Sequence, residues 1–297
     1  MPERPFGVHF RMARWKSLVV LIAVPVMLLL VQIILFQPVV MIEGPADPTK
    51  PALTPLTIVA TGLSTAITAF LSTLLVAKMA KVPWRAVFRH SRPFDWRRVR
   101  VYLLGSAVLV GLALAVTALI APGSVGWGSF EIGGTTIAIL VVTLLAIPLQ
   151  AAGEEIAFRG AVIPAAGSWF RSVRLAMVFG IIVSGALFAV VHVSLDPWLV
   201  SYLFVFSACT ALIGLLSGGL EAAMAFHVSN NVLAGIVNAL FTGGGSAVLD
   251  RSVGSGAAAS FIILMVMNVL VVVMVWLVER ARRSSSVPNV STSPSAT

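Results

Sequence analysis

Charged residues and cysteine are both scarce in this sequence of 297 residues. Asp, Glu, Lys and Arg make up only 10% of the chain, whereas 59% of it is hydrophobic and the mean hydropathy is +1.02. An average globular domain carries about 25% charged residues, so a cytosolic domain and a disordered regulator are excluded. The single cysteine, Cys209, lies in an apolar run, which excludes an intrachain disulfide and a cysteine metal cluster. The composition places the chain in a lipid bilayer.

Long apolar runs account for most of the chain. A bilayer core about 30 Å thick requires about 20 mostly apolar residues in a spanning helix. Eight runs meet this condition: 17–42, 54–77, 99–121, 135–155, 173–193, 198–218, 220–240 and 257–278. We therefore predict an all-α fold, a polytopic membrane helical bundle of about eight transmembrane helices within residues 17–278, with its active site in the membrane core.

The basic residues cluster at the ends of these runs. The formal net charge is +9, from 20 Lys and Arg against 11 Asp and Glu. Most of the basic residues lie in the N-terminal segment 1–16, in the loop 78–100 and in the tail 279–297, whose end is rich in Ser, Pro and Thr and is predicted to be disordered. Basic segments on one side are typical of cytoplasmic loops. We therefore predict a multi-pass cell-membrane protein with both termini in the cytoplasm and no nucleic-acid partner.

A few ionisable side chains lie inside the apolar runs, where a charge is costly and usually marks a functional site. Glu154, Glu155 and Arg159 belong to the fourth run. Residues four apart share one helix face, so Glu155 and Arg159 can pair, whereas Glu154 is turned about 100° away from Glu155. The spacing therefore separates a neutralised pair from an unpaired carboxylate, and the latter is suited to general-base catalysis.

Imidazole and amide groups in later runs repeat the four-residue spacing. Phe188 and His192 are four apart, and so are His227 and Asn231. Together with Glu154 these groups suffice for hydrolysis of an acyl bond, in which a base deprotonates water and donors hold the developing oxyanion. Glu154, His192 and His227 could instead bind a divalent metal such as zinc. The sequence lacks an HExxH motif, so zinc does not follow from the residues alone.

Three motifs, in this order, resemble the signature of the CPBP family of CAAX-protease and bacteriocin-processing (Abi) intramembrane proteases. They are Glu154-Glu155-x-x-x-Arg159, Phe188-x-x-x-His192 and His227-x-x-x-Asn231, and they span about 80 residues of the chain. A single such motif would be weak, whereas three in the same order within apolar runs are specific. The resemblance predicts a catalytic core at about residues 135–240.

The resemblance also implies a role for each residue. The general base that activates water would be Glu154, with His192 helping to hold that water, and the oxyanion would be stabilised by His227 and Asn231. The supporting residues would be Glu155, Arg159 and Phe188. The family has been labelled metalloprotease, although the glutamate mechanism requires no bound metal, so the metal dependence stays open.

The function implied is an intramembrane endopeptidase that hydrolyses a peptide or a lipidated peptide near the membrane surface. Its cavity is expected to open towards the cytoplasm, and the oligomeric state is left undetermined. The alternative is a non-proteolytic membrane scaffold or regulator with the same fold. A transporter with a carboxylate relay is a third reading, but it predicts paired half-repeats, and the sequence shows none.

The depth of two predicted site residues needs a particular helix geometry. At about 1.5 Å per residue, Glu154 lies near the cytoplasmic end of its span and His192 lies near the far end of the next span. The two side chains cannot meet if both helices cross the membrane vertically. One solution is a short fifth helix that starts deep in the membrane. The solution that we predict is a long, tilted fourth helix that continues through Phe158 to about Pro164, with Pro148 and Gly153 permitting a bend.

Overall fold

The computed structural model describes residues 4–45, 47, 50–89, 92–121, 127–254 and 258–285. Within this part of the chain the regular secondary structure is helical and no strand forms, which confirms the predicted all-α fold. Eight of the described helices are long and apolar enough to cross a membrane. The protein is therefore a multi-pass membrane protein, as its apolar runs predict.

The helices follow the predicted runs closely and extend several of them. In chain order they are α1 (Arg14–Glu43), α2 (Pro55–Ala80), a 3-10 turn (Trp84–Val87), α3 (Trp96–Ile120), α4 (Gly134–Glu154), a π-helical segment (Glu155–Val162), α5 (Ile163–Gly167), α6 (Val173–Val190), α7 (Pro197–Ser217), α8 (Glu221–Leu240) and α9 (Ala258–Ser285). Side-chain caps mark several helix starts. Asp196, for example, accepts hydrogen bonds from two amides in the first turn of α7.

The fourth spanning segment is helical without interruption from Gly134 to Gly167. Its predicted continuation through Phe158 to Pro164 is confirmed, and the π-helical turn at Glu155–Val162 is an addition to that prediction. Pro164 has no amide hydrogen to donate to the carbonyl of Gly160, and in an α-helix its ring would clash with that carbonyl. A widened π turn relieves this conflict, and such turns are frequent at functional sites.

One end of the bundle, the basic end, is formed by residues 4–13, 81–89, 92–95, 168–172 and 218–220. There Arg92 donates two hydrogen bonds to the carboxylate of Glu221, at 3.1 and 3.0 Å. The loop after α2 is therefore fastened to the start of α8. The same bonds give Glu221 a structural role.

Arg98 and Glu279 form a second ion pair at the basic end, 3.0 Å between Nη1 and Oε1. The Tyr102 hydroxyl also donates to Glu279. This contact lies beyond the predicted end of the last span, and α9 remains helical to Ser285. The boundary predicted at residue 279 thus falls within a helix, and a part-buried ion pair connects that helix to α3 at this point. The rest of the predicted tail, from residue 286, lies outside the described residues.

The opposite end is formed by the described residues of the connections α1–α2, α3–α4, α6–α7 and α8–α9. The backbone amide of Leu53 donates to the carbonyl of Ala247 at 2.7 Å, and the hydroxyl of Ser194 donates to the carbonyl of Arg251 at 3.1 Å. Three connections are therefore bound to one another. They close the bundle around a cavity that their own residues help to line.

Candidate active site

The π-helical segment carries a fully buried ion pair. Glu155 and Arg159 are 0% and 1% exposed, and Glu155 Oε2 lies 3.3 Å from Arg159 Nε. The guanidinium also lies over the ring of Phe188, at 4.6 Å from its centroid, a favourable cation–π contact. The structure therefore brings together these three residues, which the sequence predicts as a supporting set.

His227 lies between the two glutamates. Its Nδ1 is 2.7 Å from Glu155 Oε1, and its Nε2 is 3.6 Å from Glu154 Oε2. An ionised carboxylate only accepts hydrogen bonds, so Nδ1 carries the proton in the contact with Glu155. The ring is 2% exposed and packs edge-on against Phe206. Glu155 thus orients the imidazole towards Glu154, a contact that the spacing of the motifs does not indicate.

Glu154 is buried but only half satisfied. Gln150 donates a hydrogen bond of 2.7 Å to Glu154 Oε1, whereas Oε2 accepts no hydrogen bond from any described residue. Gln150 lies one turn before Glu154 on the same helix. It was missed among the predicted site residues, although its four-residue spacing from Glu154 is the same signal that identified the other pairs.

A chain of amide contacts leads away from Glu154. Asn231 donates to Gln150 Oε1 at 3.4 Å, and Asn230 donates to Asn231 Oδ1 at 3.0 Å and to the hydroxyl of Tyr202 at 3.4 Å. Helices α4, α7 and α8 are joined by this chain. Asn231 is therefore connected to Glu154 through Gln150.

His192 lies just beyond the end of α6. Its Nδ1 is 2.6 Å from the carbonyl of Phe188, so Nδ1 donates and Nε2 is left as an acceptor. No hydrogen bond between His192 and Glu154 forms in the described structure. The two residues are connected indirectly. Gln150 binds Glu154 and also lines the same cavity as His192.

This cavity has a volume of about 440 Å³, within the range of about 300–1,000 Å³ common for ligand sites. Its polar lining includes Gln150, His192, Tyr202, Asn231 and Arg251. The connections of the opposite end also line it, so the cavity lies away from the basic end. The expectation of a cavity that opens towards the cytoplasm stays a prediction.

Arg251 is a cavity residue that sequence reasoning missed. Burial lowers the pKa of its guanidinium from the ordinary value. The adjacent Asp250 is bound elsewhere: hydrogen bonds from Ser252 lower the pKa of Asp250, and its Oδ2 lies 3.3 Å from Lys50 Nζ. A single basic residue in a polar connection carries no sequence signal, so only the fold reveals its position.

The three residues predicted as possible metal ligands, Glu154, His192 and His227, do not form a metal site among the described residues. Among the described residues, no group of three or more His, Cys, Asp and Glu side chains is arranged to hold a metal ion. In the predicted set, His227 uses Nδ1 for Glu155, and His192 uses Nδ1 for a backbone carbonyl. Nε2 is therefore the one ring nitrogen of each that is left for a metal, and such Nδ1 contacts are common around metal-binding histidines. Because no three of these side chains converge, the proposed mechanism includes no metal.

A second cavity, the apolar groove, lies on another face of the same helix. It has a volume of about 450 Å³ and runs between α2, α4 and the 3-10 turn. Its lining is almost entirely apolar and includes Ala69, Phe70, Trp84, Leu149, Gly153 and Ile156.

Comparison with known proteins points to one family. Residues 134–233 match the family model described as type II CAAX prenyl endopeptidase Rce1-like. The match confirms the resemblance to the CPBP family, and all three motifs fall inside it. The chain is also 24% identical over 166 residues to a Bacillus subtilis (strain 168) protein named uncharacterized protein YyaK. That similarity covers 54% of each chain, so this protein spans about half the length of that relative.

Proposed function

We propose that this protein is an intramembrane endopeptidase in which Glu154 activates the attacking water. The observation that carries the proposal is the state of the Glu154 carboxylate. One oxygen is held by Gln150, and the other is buried, accepts no hydrogen bond from the described residues and faces His227 at 3.6 Å. A separation above 3.5 Å between two polar atoms is suited to a bridging water.

In the proposed reaction, Glu154 Oε2 takes a proton from this water as its oxygen attacks the peptide carbonyl. The tetrahedral intermediate then collapses, the C–N bond breaks, and Glu154 returns the proton to the leaving amine. One water is consumed and a carboxylate and an amine are released. Asn231, with its amide at the cavity wall, donates to the oxyanion, and His192 Nε2 accepts a hydrogen bond from the water.

Glu155 and His227 act together in this scheme. Glu155 neutralises Arg159 with one oxygen and orients His227 with the other. The imidazole then presents Nε2 to the space beside Glu154 and the water. To donate to the oxyanion, Nε2 must carry a proton in addition to the one on Nδ1. Glu155 is thus a positioning residue, since it acts through its neighbours.

The orientation proposed for the protein places the basic end, and with it both termini, in the cytoplasm. Lys and Arg concentrated at one end of the bundle support this orientation. The cavity then lies on the side of the membrane away from the cytoplasm. Reporters fused to the C-terminus that are active only in the cytoplasm should be active, and silent cytoplasmic reporters would reverse the proposal.

The proposed activity is tested by comparing wild type with Glu154→Gln in detergent. The substrates are quenched peptides, with and without a lipid group, each assayed with and without a chelator. We expect cleavage by wild type and a loss of about 10²- to 10⁴-fold in Glu154→Gln, the range for removal of a general base. The matched control is Glu131→Gln, which removes an exposed carboxylate and should leave the rate unchanged.

Each other outcome has a defined meaning. Undiminished cleavage by Glu154→Gln would refute the role of Glu154, and loss of activity with the chelator would require a metal such as zinc. If folded wild type cleaves no peptide, the alternative of a scaffold or regulator with the same fold is favoured.

A further inference from the structure

The cavity beside the proposed catalytic residues contains one formally charged side chain. Among its lining residues in the described chain, Arg251 is the sole member of the group Asp, Glu, Lys and Arg. Most of the remaining lining is apolar and comes from α1, α2, α4, α7 and α8. A cavity of this kind selects for an apolar ligand that carries a negative charge.

Arg251 is fixed near His192 but is not neutralised. The Ser194 hydroxyl binds the backbone carbonyl of Arg251 and so ties its position to the connection that holds His192. None of the ion pairs between described residues includes Arg251. The neighbouring carboxylate, Asp250, is bound to Lys50 and Ser252 instead. The guanidinium is therefore available to an anion inside the cavity.

We propose that Arg251 binds a carboxylate of the peptide substrate and thereby sets the position of the scissile bond relative to Glu154. The inference rests on the proposed peptidase function. A guanidinium matches a carboxylate with two parallel hydrogen bonds, which gives orientation as well as affinity. Every linear peptide with a free C-terminus supplies such a group, and an Asp or Glu side chain supplies the same chemistry.

Binding tests the inference without requiring cleavage. The protein is Glu154→Gln in detergent, and the probe is a dansyl-labelled tetrapeptide of apolar residues in three forms. The first form has a free C-terminal carboxylate, the second is its C-terminal amide, and the third is the amide with one aspartate. We expect the free acid to bind about 10- to 100-fold more tightly than the apolar amide, as is typical for a charge-assisted hydrogen bond.

Substitution of Arg251 should remove this preference. In the same background, Arg251→Gln should bind the three peptides with equal affinity, and Arg251→Lys should keep part of the preference because it retains the charge. The matched control is Arg174→Gln, which removes an exposed positive charge at the start of α6, the end of that helix away from His192. This variant should keep the full preference for the free acid. Unfolding midpoints of all variants establish that each is folded.

The outcomes separate this inference from the proposed function. Equal binding of acid and amides by protein with Arg251 intact overturns the inference, and so does a preference that survives in Arg251→Gln. Tight binding of the aspartate-containing amide assigns the carboxylate to a side chain rather than to the C-terminus. If wild type cleaves none of the peptides while the Arg251-dependent preference is present, the peptidase proposal fails and Arg251 remains an anion-binding residue.

Discussion

Two cavities of nearly equal volume flank α4, yet they differ in chemistry. The apolar groove takes residues 149, 152 and 153 from α4 and residue 156 from the π-helical segment that continues it, whereas the cavity of the opposite end takes residues 139, 143, 147 and 150. Both sets repeat at intervals of three or four, the spacing of a helix face. One helix therefore presents an apolar face to one cavity and a partly polar face to the other.

The difference shows how a membrane helix accommodates buried charge. Polar groups at membrane depth are tolerated where they bind one another or line a cavity. Glu154, Glu155 and His227 satisfy this condition by binding each other and Gln150. The two glutamates lie in sequence between Gly153 and Ile156, which line the apolar groove. Gln150 and Asn231, which are connected to Glu154, line the other cavity.

The largest expected effect comes from breaking the cluster itself, with Glu155→Gln. Arg159 would then be left buried without its acidic partner. Removing one member of a buried ion pair destabilises by about 3–5 kcal/mol. The free energy of unfolding, measured by SDS titration in mixed micelles, should fall by this amount.

A double substitution separates charge from packing in this experiment. Glu155→Gln with Arg159→Met removes both charges and should recover much of the lost stability. A single Glu155→Gln protein as stable as wild type would contradict the importance of the pair.

A smaller effect is expected on the side of the apolar groove, from Gly153→Ala. A Cβ at Gly153 would lie 2.7 Å from the backbone carbonyl of Thr65, so α2 and α4 would have to move apart. Overpacking of this kind destabilises by about 1–3 kcal/mol. The matched control is Gly111→Ala, since a Cβ there meets nothing within 4 Å. If the two variants unfold alike, the close approach of α2 and α4 does not stabilise the bundle.

The smallest effect is expected on the polar side, from Gln150→Leu. The change removes the hydrogen bond to Glu154 and keeps a side chain of similar size. We expect kcat/KM for peptide cleavage to fall about tenfold, the equivalent of about 1.4 kcal/mol in the transition state. Leu149→Met, on the groove side, is the control and should keep the wild-type value. Full activity of Gln150→Leu would show that Glu154 needs no such donor.

Much of the fold follows from apolar run length, because a bilayer demands helices of a given length. The eight spans are confirmed in the described residues, and the pairing of Glu155 with Arg159 follows from their spacing of four. The helical continuation to Pro164 was also predictable, since residues 156–166 are apolar apart from Arg159. These features are local, and a linear sequence contains the information for them.

By itself, then, the sequence determined the membrane spans, the buried pair on one helix and the resemblance to a family of membrane proteases. Only the tertiary structure decided that His227 lies between two glutamates and that Arg251 lines the cavity with His192. Both arrangements join residues from different helices or connections. Their contacts depend on how far each helix is shifted along its neighbour, a quantity that packing sets and that periodicity within a single helix does not contain.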